Sequence, residues 1–129
     1  MCKWCQDPPP QLLLDGITRF NLGDYYEQHE ILEDLWAHEH RNIRRFYQGI
    51  LQIGVAMFHI QNGNKHGAVY MLERGSNYLL PFTPHCQTVN VTDLLEQATR
   101  VLESIKDIAP EKLADFDWSL APTINRKQP

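Results

Sequence analysis

Apolar residues recur along most of this chain at intervals of three and four, the period of a helix with one buried face. The two-residue alternation of a half-buried strand is never sustained beyond a few positions. The spacing predicts a first helix over 11–20, with Leu12, Leu13, Ile17 and Phe20 in register. A second, over 25–40, places Tyr25, His29, Leu32 and Trp36 on one stripe at intervals of four, three and four. The third, over 42–61, carries Phe46, Tyr47, Ile50, Leu51, Ile53, Val55, Met57 and Phe58 nearly all round its circumference, which marks it as the central helix. A fourth over 65–80 buries Ala68, Leu72 and Leu79, and a fifth over 94–108 buries Leu95, Ala98, Val101, Leu102 and Ile105. The expectation is an all-α bundle of about five helices built from helical hairpins, with no sheet.

Turn and cap residues sharpen the boundaries. Three prolines, Pro8 to Pro10, separate a flexible tail (1–10) from the helical domain (11–109), because proline fixes φ and removes a donor. Asp24 is placed as an N-cap with Glu27 three residues on, the capping-box layout. Gly63 suits a left-handed helix end and Asn64 the next N-cap, while Pro81 and Pro84 stop the fourth helix. Thr92-Asp93 reads as the cap of the fifth. A C-terminal arm (110–129) holds Phe116, Trp118 and Leu120 and is expected to fold back. Gly23-Asp24 precedes Leu32-Glu33 at the same offset as Gly63-Asn64 precedes Leu72-Glu73, an internal echo that favours stacked helix pairs.

Composition narrows the function classes. At 129 residues the chain fits one domain that folds without disulfide or metal. A net charge of −4 speaks against a nucleic-acid binder, and the short cluster Arg41, Arg44 and Arg45 reads as the solvated start of a helix. No apolar run approaches the ~18 residues of a membrane span and no signal-peptide stretch is present. The expected location is therefore the cytoplasm, or a plastid stroma if a precursor has been trimmed, and the cysteines are read as thiols. Cys2 and Cys5 form a C-x-x-C in the tail, expected to be loosely packed and metal-free. With His85-Cys86 they would complete a zinc set only if the tail folded onto that loop.

Chemistry concentrates at His29-Glu30-Ile31-Leu32-Glu33. His29 and Glu33, one turn apart on the stripe of Tyr25 and Trp36, are expected to point inward and satisfy each other. Gln48, Gln52 and His59 share a face of the central helix, and the polar pairs of the two helices are expected to meet. Such a cluster is either a rigid hydrogen-bond network or a pocket for a small polar ligand walled by Trp36 and tyrosines. His29 and Glu33 fall short of the three ligands of a catalytic zinc site, and they do not form the zinc-protease pattern.

Taken in order, Phe20-Asn21-x-Gly23-x-Tyr25-Tyr26-Glu27-x-His29-Glu30-x-Leu32-Glu33-x-x-Trp36, Phe46-Tyr47-Gln48-Gly49-Ile50-Leu51-Gln52, and His59 with Gly63-Asn64-x-x-Gly67-Ala68 resemble the family catalogued as domain of unknown function 309. The resemblance covers about residues 12–80. It implies an orthogonally packed helical bundle and carries over no activity and no cofactor. The positions matching its signature are His29, Glu30, Glu33, Trp36, Gln48, Gln52, Asn64 and Gly67, and Gly54 departs from it, Ala being usual there. The reading at this point is a binding or scaffold protein for a small polar ligand or a protein partner, using His29, Glu30, Glu33, Trp36, Gln48, Gln52, His59 and Asn64. The alternative is a metal- or acid/base-dependent, hydrolase-like enzyme using His29 and Glu33. Cofactor, substrate and oligomeric state stay open.

Overall fold

The computed structural model describes residues 2–127. Five helices follow one another: α1 (Gln11–Asn21), α2 (Tyr25–Ala37), α3 (Arg44–Gln61), α4 (Lys65–Leu79) and α5 (Val91–Ile105). Between α4 and α5 lies a small hairpin of β1 (His85–Cys86) and β2 (Val89–Asn90). Short 3-10 turns at Lys3–Gln6, Leu80–Phe82, Pro110–Asp115 and Trp118–Leu120 complete the chain. Among the described residues, no helix is long and apolar enough to cross a membrane.

The echo in the sequence is a repeated joint. Gly23 and Gly63 both adopt left-handed φ, +80° and +73°. At each, the following amide reaches back five residues, Asp24 to Arg19 (2.9 Å) and Asn64 to His59 (2.8 Å), while the glycine amide reaches back three. These are Schellman motifs, and they turn α1 into α2 and α3 into α4. The caps then diverge. The Asn64 side chain accepts from the Gly67 amide at 2.9 Å, as expected. Asp24 stands at the cap position but turns its carboxylate to Arg19 at 3.3 Å, so the capping box does not form.

α3 is the central helix, packed on one side by α2 and on the other by α4. Phe46, Tyr47, Ile50, Ile53, Ala56 and Met57 are all fully buried. Glycines set how near its neighbours come. A Cβ on Gly75 would lie 3.0 Å from the Gly49 carbonyl oxygen, so α3 and α4 touch backbone to backbone there. On the other side Gly54 receives the amide of Gln28 from α2.

Three expectations need correction. The chain is all-α in its core, yet it is not free of sheet: β1 and β2 pair antiparallel, His85 with Asn90 and Cys86 with Val89. The turn between them puts Gln87 and Thr88 at φ +45° and +71°, which neither residue type signals. The hairpin also advances the start of α5, whose cap is Asn90, accepting from the Asp93 amide at 3.0 Å, and not Thr92-Asp93. Finally, the N-terminal segment is not loosely packed. Cys5 is 5% exposed and is bonded to Cys86, while Cys2 remains a free thiol. The tail does fold onto the His85–Cys86 loop, but the result is a covalent bond.

The hairpin fastens both ends of the described chain. The Gln87 amide donates to the Cys5 carbonyl (2.8 Å), its side chain donates to the Trp4 carbonyl (3.3 Å), and Tyr47 donates to its carbonyl oxygen (3.0 Å). From the C-terminal arm, the Asn125 carbonyl accepts from the Asn90 amide (2.9 Å) and the Lys127 amide donates to the Thr88 carbonyl (2.6 Å). Phe116 and Ile124 of that arm are buried against the rest of the chain, so the arm folds back as expected. Residue 1 of the tail and residues 128–129 of the arm lie outside the described residues.

Candidate functional site

The buried side of α2 keeps Tyr25 and Leu32 of the expected stripe but takes Gln28 in place of His29. Tyr25, Gln28 and Leu32 are its buried residues. His29 and Glu33 bond each other as expected, imidazole Nε2 to carboxylate Oε2 at 2.9 Å, but their side chains are 40% and 57% exposed. From Tyr25, steps of three (Gln28) and four (His29) both continue a helical stripe, and both residues are polar. The amide of Gln28 is the polar group that enters the core. Its Nε2 donates to the Ile50 carbonyl at 3.4 Å, and its Oε1 meets no donor among the described residues.

The expected cluster therefore separates into three places. Gln48 accepts from Arg45 at 3.4 Å near the start of α3, on its α4 side. Gln52 is buried, and its Cβ lies beside Gly75 of α4. Trp36 is half-buried with the Arg44 guanidinium 4.6 Å over its ring, and its indole N–H finds no partner among the described residues. The anchors of the core are instead Tyr47, Phe20, Phe46 and Phe82.

His29 and His59 do come together. With Tyr25, Tyr26, Val55 and Phe58 they line a cavity of about 250 Å³ between α2 and α3. Tyr26 and Phe58 are tilted against each other with ring centroids 6.1 Å apart, forming an aromatic wall. The floor is held by Tyr25, packed edge-on against Phe20 at 5.8 Å. Burial pushes the Tyr25 phenol above its ordinary range.

The protonation of His59 follows from its neighbours. Because Asn64 Oδ1 caps α4, its Nδ2 must face the imidazole, where it donates to Nδ1 at 3.4 Å. Nδ1 is thus the bare nitrogen and Nε2 carries the proton. Burial acts in the same direction, lowering the His59 pKa from the usual value and favouring the neutral ring. Gly67 makes room for this arrangement: a Cβ there would come within 2.7 Å of Asn64 Nδ2 and 2.9 Å of His59 Cδ2.

A shallow depression of about 460 Å³ adjoins the cavity, sharing Tyr26 and His29 and bordered by Glu30, Glu33 and Asp34. Glu30, as hydrogen-bond acceptor and as charge, raises the Tyr26 phenol pKa. The combined surface is an apolar slot with a neutral imidazole and an acidic lip. It offers van der Waals contact, a ring N–H donor and carboxylates for a cation. Among the described residues, no three His, Cys, Asp or Glu side chains converge as a metal-binding set.

Residues 13–71, from α1 into α4, match the family model described as Domain of unknown function (DUF309), as the sequence resemblance implied. Similar proteins include an uncharacterized protein of Aquifex aeolicus (strain VF5), 28% identical over 65 residues, which is 50% of this chain and 20% of that protein. Another is the uncharacterized protein YpuF of Bacillus subtilis (strain 168), 27% identical over 107 residues, 80% of this chain and 62% of YpuF. The chain thus spans about a fifth and about three fifths of the length of these curated relatives. The matched segment includes every residue of the cleft. Neither relative's name supplies an activity.

Proposed function

We propose that this protein is a small-ligand binding module whose site is the α2–α3 cleft. A flat apolar group enters the cavity, and a cationic head rests on the shelf of Glu30, Glu33 and Asp34. The observation that carries this reading is the convergence of His29 and His59, from separate helices, on one apolar cavity. At about 250 Å³ the slot is smaller than a drug-sized pocket and suits a single ring or short alkyl chain. Aromatic walls beside carboxylates favour a cation with an apolar body over an anion of the same shape.

The acid/base reading draws on the 2.9 Å His29–Glu33 pair. That pair lies at the surface, whereas the enclosed space beside it is apolar, so binding is the better-supported function.

Phenethylamine and phenylacetate, matched in shape and opposite in charge, discriminate the proposal in a titration followed by amide NMR. Phenethylamine is expected to shift Tyr26, His29, Phe58 and His59 selectively, and Val55→Phe, which fills the slot, to abolish the response. Equal shifts from phenylacetate, or unchanged shifts in Val55→Phe, would overturn the assignment.

A further inference from the structure

The opposite flank of α3, facing away from the cleft toward α4, gathers charge in a way that folding alone does not require. Arg45 Nη1 and Arg74 Nη2 each donate to the same atom, the hydroxyl oxygen of Tyr78, at 3.1 Å. Two guanidinium groups are thus held within about 6 Å of one another, inside the ~8 Å over which salt screens charge. Their planes lie near the same ring, 5.3 and 5.4 Å from its centroid, and Arg74 also donates to Tyr70 at 3.3 Å. The ion pairs of the described residues involve Arg19, Arg41, His29 and His38, so among those residues no carboxylate lies within 4 Å of Arg45 or Arg74.

The start of α3 adds to the same field. Its first turn contains no acidic residue and opens with Arg44 and Arg45, placing positive side chains at the positive end of an 18-residue helix. In a chain of net charge −4, like charges collected here without a counter-charge call for an anion.

We propose that Arg45, Arg74 and Tyr78 form a binding site for a terminal phosphate group. The Tyr78 oxygen already accepts two hydrogen bonds, so its own proton is left to donate outward. A phosphate dianion would meet two guanidinium forks and one phenol, and planar forks match its oxygens. The Tyr78 ring is engaged by guanidinium groups and is not open for a stacked base, which favours inorganic phosphate or a phosphomonoester over single-stranded nucleic acid. This site is independent of the α2–α3 cleft and shares no residue with it.

Inorganic phosphate, pyrophosphate and a short oligothymidylate are titrated into the full chain at low ionic strength, with sodium chloride matching the ionic strength in parallel. The readouts are amide NMR shifts and the thermal midpoint. Phosphate and pyrophosphate are expected to shift the amides around Arg45, Arg74 and Tyr78 and to raise the midpoint, where chloride does neither. Arg45→Gln and Arg74→Gln should each weaken pyrophosphate binding at least tenfold, while Arg19→Gln on α1, an exposed arginine paired with Asp24, should leave it unchanged. Equal effects of chloride, or undiminished binding in the double Arg45→Gln/Arg74→Gln variant, would overturn the proposal. Tighter binding of oligothymidylate than of pyrophosphate would overturn the terminal-phosphate assignment in favour of a nucleic-acid backbone.

Discussion

Replacing Gly54 by alanine tests whether Gln28 is locked into the α2–α3 interface. An added Cβ would stand 2.6 Å from the Gln28 side-chain carbon and 2.9 Å from its nitrogen, with the amide oxygen nearer still. Gln28 is fully buried, so its amide would have to leave the Ile50 carbonyl for a site with no better partner. A buried amide left unpaired costs about 1–3 kcal/mol. Against this, alanine in a helix is favoured over glycine by about 1 kcal/mol. The two effects partly cancel, so Gly54→Ala alone is a weak test. A double-mutant cycle separates them. In a Gln28→Ala background the clash is gone, and Gly54→Ala should stabilise by the full ~1 kcal/mol of helix propensity. In the native background it should be neutral to destabilising. Urea unfolding of the four proteins gives the coupling, expected at about 1–3 kcal/mol. If Gly54→Ala stabilises equally in both backgrounds, Gln28 is not held as described.

Two further outcomes are expected. Glu39 is gripped by the Arg41 guanidinium and amide at 2.9–3.0 Å, which lowers its carboxyl from 4.5 to about 2. A depressed folded value means that this pair stabilises fully above about pH 4.5 and is lost as pH falls toward about 2; Glu39→Gln should flatten the stability–pH curve in that window only, and identical slopes in urea unfolding would refute it. Removal of the Cys5–Cys86 bond by Cys5→Ser should cost about 2–4 kcal/mol, and thiol titration of the untreated protein should find Cys2 alone; three reactive thiols would show that the bond does not form.

Most of the helical frame was legible because its determinants are local. Gly23 and Gly63 are glycines since the chain there needs positive φ, and α1, α3 and α4 begin or end within a residue or two of where spacing places them. What escaped were features set by tertiary contact. Gln87 and Thr88 take positive φ without the glycine or asparagine that would announce a hairpin. Cys5 and Cys86 are 81 residues apart, and no spacing rule links them. In the site, His29 and His59 line the cleft, Glu33 borders it and Asn64 bonds His59, but which face of α2 is buried depends on the helix it packs against. Gln28 and His29 both stand about one turn from Tyr25, on either side of it, and the hollow at Gly54 on the facing helix takes Gln28. The Arg45–Tyr78–Arg74 arrangement joins two helices, so the arginine run before α3 showed only a part of it.

The covalent link at Cys5 and Cys86 also decides where mechanical load travels. Tension applied between residues 2 and 127 passes from Cys5 directly to Cys86, bypassing the 81-residue loop that the bond closes. Beyond Cys86 that load falls on the hydrogen bonds by which Asn125 and Lys127 hold the hairpin, and on α5. With the bond intact, pulling releases only the chain beyond Cys86, on the order of 140 Å of contour. The cleft between Tyr25 and His59, and the arginines that converge on Tyr78, lie wholly inside the shielded loop. A stretched molecule would lose its fifth helix and its arm while both candidate sites stayed slack.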